Sequence, residues 1–177
     1  VGKGWQLSTI YTAISGRPFS ALISGDPSGQ GLSGTSLRAS YDGSPIHYNT
    51  RDPHNYVVES AGIDPCGRDT DFATTFYRPC DGTIGTSRRN MLRGPGLSQW
   101  DLTLLKDTKI GERLVVQFRW EVYNVLNRAN FAAFVSNNTI GSSSFGTITS
   151  TPDVAAGNPV IAQGGPRNMN FAIKLSF

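Results

Sequence analysis

Cys66 and Cys80 are the only cysteines of the chain, and each follows a proline, Pro65 and Pro79, in polar loop-like sequence. Such a pair can be a disulfide, part of a metal site, or two unrelated thiols. An even cysteine count in loop sequence favours the disulfide wherever the compartment is oxidising. On the chain-entropy argument a loop of this size would contribute roughly 3 kcal/mol. Asp64, Asp69, Asp71 and Asp81 surround the cysteines. Carboxylates can hold Ca²⁺, but this spacing is not that of an EF-hand, and a solvated acidic loop is the simpler reading. His47 and His54 flank a polar loop segment. A metal or acid–base role needs converging partners, and no spacing supplies them. Ser142-Ser143-Ser144 and Gly94-Pro95-Gly96 match neither a nucleophile elbow nor a phosphate loop. No catalytic residue, cofactor or metal is expected, and the chain does not read as an enzyme.

The composition points the same way. Of 177 residues, 38% are hydrophobic and 16% charged, both low for a globular domain, while Gly contributes 20. That mixture suits an all-β chain with long polar loops. Net charge is +3, but the basic residues are scattered; Arg88-Arg89 is a doublet read as solvent-facing. Without a basic run interleaved with aromatics, nucleic acid is not expected as a partner. No window reaches the eighteen or so apolar residues of a membrane-crossing helix, which leaves strands as the way across a bilayer. The opening Val1-Gly2-Lys3-Gly4 reads as a chain entered midway, so a fragment of something larger is expected.

Four segments carry the strand signal. In the last eight residues, Phe171, Ile173, Leu175 and Phe177 share one face, and Asn170, Ala172, Lys174 and Ser176 the other. Residues 113–123 place Leu114, Val116, Phe118, Trp120 and Val122 opposite Arg113, Val115, Gln117, Arg119, Glu121 and Tyr123. Residues 100–109 carry Trp100, Leu102 and Leu104 on one face, and residues 5–15 carry Trp5, Leu7 and Tyr11. A tight turn at 110–112 joins two of these into a hairpin. Their length, about ten residues, is also the length that crosses a bilayer as a tilted strand. The segments between, 16–99 and 124–169, read as long irregular loops. Within them residues 19–23 and 145–149 suggest short extended pieces, and 124–130 a turn of helix. Loops this long are uncommon in a compact soluble domain and ordinary on the outer side of a barrel. Alternation alone leaves two architectures open: a soluble secreted β-sandwich binding module, or strands of an outer-membrane barrel.

Ordered motifs favour the barrel. The run Arg89-Asn90-Met91-Leu92-Arg93-Gly94-Pro95-Gly96 is followed by Trp100-Asp101-Leu102-Thr103-Leu104 and Gly111-Glu112-Arg113-Leu114. Then come residues 117–127, from Gln117 to Asn127, the stretch Phe145-Gly146-Thr147-Ile148-Thr149, Pro166-Arg167 and the terminal strand. Together with Trp5-Gln6-Leu7 and Ser15-Gly16-Arg17-Pro18-Phe19, this resembles the C-terminal barrel strands of TonB-dependent outer-membrane receptors. The Oar-like subgroup, with its carboxypeptidase-regulatory-like domain, is the most similar. The likeness covers the strands and their flanks, not most of residues 25–87.

The resemblance implies an all-β, partial outer-membrane β-barrel over residues 1–177, with about four main strands and long extracellular loops. The C-terminus would be periplasmic, and loops 16–99 and 124–169 extracellular, where Cys66–Cys80 could oxidise. The partners implied are outer-membrane lipid, the rest of the same barrel with its plug, and the barrel-assembly machinery reading the terminal strand. TonB would be met only through an N-terminal part. Phe171, Ile173, Leu175 and Phe177 would face lipid and carry the assembly signal, and some of Trp5, Tyr11, Trp100, Trp120, Tyr123 and Phe177 would form interfacial girdles. A closed barrel needs at least eight strands, so four alone would form no pore. The whole protein would import a scarce ligand in the bacterial outer membrane.

Overall fold

Alternating sequence becomes antiparallel ladder in the computed structural model, which describes residues 3–32, 37–58, 64–67, 75–132, 138–155, 157 and 163–177. The chain opens with the long strand β1 (Trp5–Ile14). Eight two-residue strands follow: β2 (Pro18–Phe19), β3 (Leu22–Ile23), β4 (Leu37–Arg38), β5 (Ser40–Tyr41), β6 (His47–Tyr48), β7 (Val57–Val58), β8 (Phe76–Tyr77) and β9 (Leu92–Arg93). Three further long strands complete the set: β10 (Leu97–Ile110), β11 (Leu114–Tyr123) and β12 (Asn168–Ser176). A single α-helical turn, Pro152–Ala155, and a 3₁₀ turn, Pro53–Asn55, are the helical pieces among the described residues. The fold is therefore all-β, as the composition and periodicity led one to expect.

Two compact units emerge. One comprises Val1–Ser15, Gly96–Phe131 and Ser150–Phe177; the other comprises Gly16–Pro95 and Ala132–Thr149. The first holds a four-stranded antiparallel sheet in the order β1-β10-β11-β12. Its strand ends differ from the sequence expectation where a neighbour supplies pairing that composition does not reveal. Leu97, Ser98 and Gln99 follow Gly94-Pro95-Gly96 and read as loop, yet they pair with Ile14, Ala13 and Thr12. Asn168 and Met169 likewise extend β12 by pairing with Tyr123 and Val122. The turn falls at residues 111–113 rather than 110–112, with Gly111 at φ 67, a left-handed conformation that glycine adopts without a Cβ penalty. Residues 124–130 are not helical: Asn124 and Asn127 sit at φ 51 and 49, which ends any helix there.

A β-sandwich needs a second sheet about 10 Å above the apolar face. No second layer of that kind covers it among the described residues: Leu7 is 69% exposed, Phe171 66% and Ile173 71%. The soluble-sandwich alternative is set aside on this ground. The sheet is also open, with β1 and β12 each paired on one side only among the described residues.

The second unit corrects the picture of two independent irregular loops. Its short strands form four two-residue ladders, β2 with β9, β3 with β4, β5 with β8 and β6 with β7. The later segment is stitched into the earlier one. Leu22 donates its N–H to the Asn138 carbonyl at 2.8 Å and accepts from Ile140 N–H at 2.8 Å, making a parallel bridge with Thr139. The Gly146 carbonyl accepts from both Tyr56 N–H (3.1 Å) and Val57 N–H (3.3 Å), and Ile148 N–H donates to Pro53 (2.7 Å). Ala21, Ile23, Ala39, Tyr56, Val57, Phe76, Leu92, Phe145 and Ile148 are buried. Residues 145–146 are turn and 147–149 irregular rather than strand, with Phe145 and Ile148 held by this burial. Ladders of two residues carry no period, so they leave no alternation to read.

Gly146 sits at φ 71, and a Cβ there would come within 2.9 Å of Val57 Cβ and Val57 O. Gly146→Val should therefore destabilise the second unit by about 1–3 kcal/mol from backbone conformation, with the clash added. Limited proteolysis should show new cleavage within residues 16–95 and 138–149, while strand pairing in the sheet persists.

Candidate functional site

The register of the sheet sorts its side chains, since residues paired across antiparallel strands share a face. One row reads Leu7, Leu104, Trp120, Phe171; the next reads Trp5, Lys106, Phe118, Ile173. Beside them run Thr9, Leu102, Val122, Met169, and then Thr108, Val116, Leu175. The opposite face reads Ser8, Thr103, Glu121, Asn170, then Gln6, Leu105, Arg119, Ala172, and Asp107, Gln117, Lys174. One face is thus apolar and the other polar and charged, through four strands that no single stretch of sequence contains.

The predicted terminal-strand residues Phe171, Ile173 and Leu175 lie on the apolar face and are exposed, and Phe177 is exposed at the chain end. Trp120 stacks on Phe171, with ring centroids 6.1 Å apart and planes 5° apart. Its indole N–H is buried without a hydrogen-bond partner, so Trp120 belongs to the middle of the apolar face and not to a polar border. Trp100 donates its indole N–H to Thr9 Oγ1, and the Tyr11 hydroxyl lies 3.0 Å from Ser98 Oγ. These two rings pair an apolar body with a satisfied polar end, as a bilayer border asks. Tyr123 departs from the girdle expectation: it lies on the polar face, its hydroxyl donating to Glu121 Oε2 at 3.3 Å.

Sequence reasoning missed Lys106, which stands in an apolar row. Its ammonium donates to the Lys3 carbonyl at 2.7 Å and lies 5.1 Å from the Trp5 ring centroid. The long stem can cover apolar surface while the charge reaches polar atoms and the ring face. The signal was its place in the alternation of β10.

A second feature missed is a polar clamp on the charged face. Gln99 donates to both Asp101 carboxylate oxygens (2.9 and 3.0 Å) and accepts from Gly164 N–H at 2.6 Å. Asn124 N–H donates to Asp101 Oδ1 at 2.9 Å, and its side-chain amide donates to the Arg128 and Gly165 carbonyls. The chain leaving β11 and the chain entering β12 are thereby tied to the same two residues of β10. Gln99 and Gly164 stand in segments that read as loop, and only contact reveals their role.

In the second unit Cys66 and Cys80 form a disulfide, so the open thiol and metal alternatives close. Asp64 is buried and its Oδ1 accepts from Cys66 N–H at 2.8 Å, which makes it a turn former beside the disulfide. Asp81 is exposed, and Asp69 and Asp71 lie outside the described residues. His47 is exposed in β6; His54 is exposed in the 3₁₀ turn, where Asp52 Oδ1 accepts its N–H at 2.9 Å. No group of three His, Cys, Asp or Glu is placed to hold a metal among the described residues. Ser142 and Ser144 bond each other at 2.9 Å. Arg88 and Arg89 are exposed. Asp26 is held below the usual carboxylate range by the Ser28 hydroxyl, 2.5 Å away, with Leu32, Gly31 and Gly29 N–H groups aiding. Burial, and then the nearby Tyr48, pushes the Tyr56 hydroxyl above its ordinary value.

No helix of the described residues is long and apolar enough to cross a membrane, which says nothing of strands. An open antiparallel sheet with one bare apolar face and one charged face has the build of an outer-membrane barrel wall. The chain belongs to the family described as outer membrane beta barrel domain, which it matches over residues 1–169. Its location is the bacterial outer membrane. No curated protein and no solved structure matches it.

Replacing both Cys66 and Cys80 by Ser should lower the stability of the second unit by roughly 3 kcal/mol, read by denaturant-dependent proteolysis with and without reductant. The Asp26 carboxylate should protonate below the usual value in an NMR titration. Because its folded value is depressed, what it contributes is present above the unfolded value and lost as pH falls through the folded one; Ser28→Ala should move the titration back up.

Proposed function

We propose that the chain is the C-terminal part of the barrel of a TonB-dependent outer-membrane receptor. The complete protein would import a scarce ligand across the outer membrane, using energy relayed by TonB. The observation that carries this reading is the coincidence of the ordered motifs at 89–96, 100–104, 111–127 and 145–151 with an open, two-faced sheet. That sheet joins β10 to β11 by a short turn, while the long insertions leave from its other strand ends. In this reading the turn at 111–113 is periplasmic and the unit containing Cys66–Cys80 is extracellular. Lipid covers Trp5, Leu7, Trp100, Trp120, Phe171, Ile173 and Leu175. The open edges of β1 and β12 are completed by further strands of the same barrel, with a plug against the charged face. The assembly machinery reads the terminal strand ending in Phe177, and TonB is met only through an N-terminal region. No chemical step and no cofactor is called for. Siderophore, cobalamin, oligosaccharide and peptide are all compatible ligands.

Two measurements test this. The full-length gene should encode a plug domain upstream of the barrel, and ligand uptake should stop when TonB is deleted; a gene without a plug sinks the receptor reading. For the lipid-facing surface, Ile173→Arg in the full-length protein should cost roughly 2–4 kcal/mol in urea unfolding from micelles. Lys174→Ala on the other face should stay within about 0.5 kcal/mol. Equal effects would show that Ile173 does not meet lipid.

A further inference from the structure

The apolar face of the sheet carries one charged side chain among the described residues, Lys106, in the row Trp5, Lys106, Phe118, Ile173. Its ammonium donates to the Lys3 carbonyl at 2.7 Å and lies 5.1 Å from the Trp5 ring centroid. An ammonium has three N–H donors, so two remain. Lys106 forms no ion pair with a described residue. The adjacent carboxylate, Asp107, belongs to the opposite face, where its Oδ1 accepts from Gln117 Nε2 at 2.8 Å. Trp5 is exposed, and no described residue accepts its indole N–H.

The chain itself sets the level of this ammonium. Lys3 and Gly4 form a turn, with Gly4 at φ 86, and β1 starts at Trp5 directly after it. The ammonium therefore meets backbone where β1 begins, at the end of the sheet that carries the short turn 111–113. Short turns of a barrel are periplasmic. A lipid-facing cation is costly at the bilayer centre and tolerated near its border, where a Lys stem covers apolar surface and its charge reaches polar groups. Tryptophan is a ring that settles at that border.

We propose that Lys106 and Trp5 bind one anionic glycerophospholipid of the periplasmic leaflet. The phosphodiester accepts from the remaining ammonium donors and from the indole N–H. The acyl chains run along the next row, Leu7, Leu104, Trp120 and Phe171, where Leu7 and Phe171 are exposed. Charge selects the headgroup: a cation without a counter-ion at a membrane border attracts an anion. The row selects an amphiphile, since a soluble phosphate would leave Leu7 and Phe171 bare. The inference rests on the sheet being barrel wall with its short turn periplasmic, and it is independent of TonB and of the transported ligand.

The test uses the full-length protein in micelles of a neutral maltoside detergent. Dioleoyl phosphatidylglycerol is the probe, and dioleoyl phosphatidylcholine, with the same chains and no net charge, is the comparator. Native mass spectrometry counts the lipid retained. The protein should hold phosphatidylglycerol about fivefold more tightly than phosphatidylcholine, the advantage of one lysine beside an anionic lipid. Lys106→Met should lose one tightly held phosphatidylglycerol, Lys106→Arg should keep it, and Trp5→Leu should weaken it. Lys174→Met removes the same charge from the opposite face and should change nothing. Each variant is first shown to keep heat-modifiable gel migration, and Lys106→Gln serves the same comparison where the Met variant does not assemble. Equal retention of the two lipids, an unchanged phosphatidylglycerol count in Lys106→Met, an equal loss in Lys174→Met, or displacement by water-soluble glycerophosphoglycerol would each overturn the site. The receptor reading stands or falls separately, on the plug domain and TonB-dependent uptake, and the lipid-facing surface on Ile173→Arg.

Discussion

The backbone ladder β1-β10-β11-β12 is the constraint on which the rest depends. In hydrocarbon an unpaired N–H or carbonyl costs several kcal/mol, so strands there must exchange their hydrogen bonds with one another. Once the ladder forms, register decides everything about the faces. A slip of one residue between β10 and β11 would carry Trp120 and Phe118 to the side of Thr103 and Asp107, and Glu121 to the side of Leu104. The pairing of Leu104 with Trp120, and of Trp120 with Phe171, aligns three independent alternations into one apolar surface. The polar clamp of Gln99, Asp101 and Asn124 sits at the end of this ladder and ties the chain leaving β11 and the chain entering β12 to it.

The unit inserted between the long strands follows a different logic. Its ladders are two residues long and could not persist alone. Burial of Ile23, Val57, Phe76, Leu92 and Phe145 supplies the larger contribution, at about 1.5–3 kcal/mol for each large apolar side chain. The Cys66–Cys80 bond, at roughly 3 kcal/mol, matches one or two such side chains. It trims the freedom of one loop and does not by itself create the unit. What joins the two insertions is backbone hydrogen bonding, at Leu22 with 138–140 and at the Gly146 carbonyl. A polar, glycine-rich segment with few apolar residues is thereby ordered, because those few are collected from distant positions into one place.

Legibility followed the range of the interactions. Period-two alternation over eight to fourteen residues is local, so the four long strands and their two faces could be read residue by residue. The ends of those strands could not: Leu97 to Gln99 and Asn168 to Met169 carry no strand signal, and a neighbouring strand recruits them. The pairing of Cys66 with Cys80 was favoured by elimination, since no other cysteine competes. Lys106 was visible in the alternation as an exception, but its contacts with Trp5 and the Lys3 carbonyl required the fold. Tyr123 had two signals, a place at a strand end that suits a girdle and a parity in β11 shared with Glu121, and the structure follows the parity.

The sequence by itself determined the class of structure: extended strands long enough to cross a bilayer, an apolar side to each, and a composition that suits an all-β chain with long polar loops. It did so because side-chain parity along a strand is a property of the chain alone. The tertiary structure decided the rest. Strand order and register turned four separate edges into one face, and the exposure of Leu7, Phe171 and Ile173 on it distinguished barrel wall from sandwich. Hydrogen bonds between residues far apart in sequence made one compact unit of two apparent loops. Those outcomes depend on which distant groups meet, and no local pattern records that.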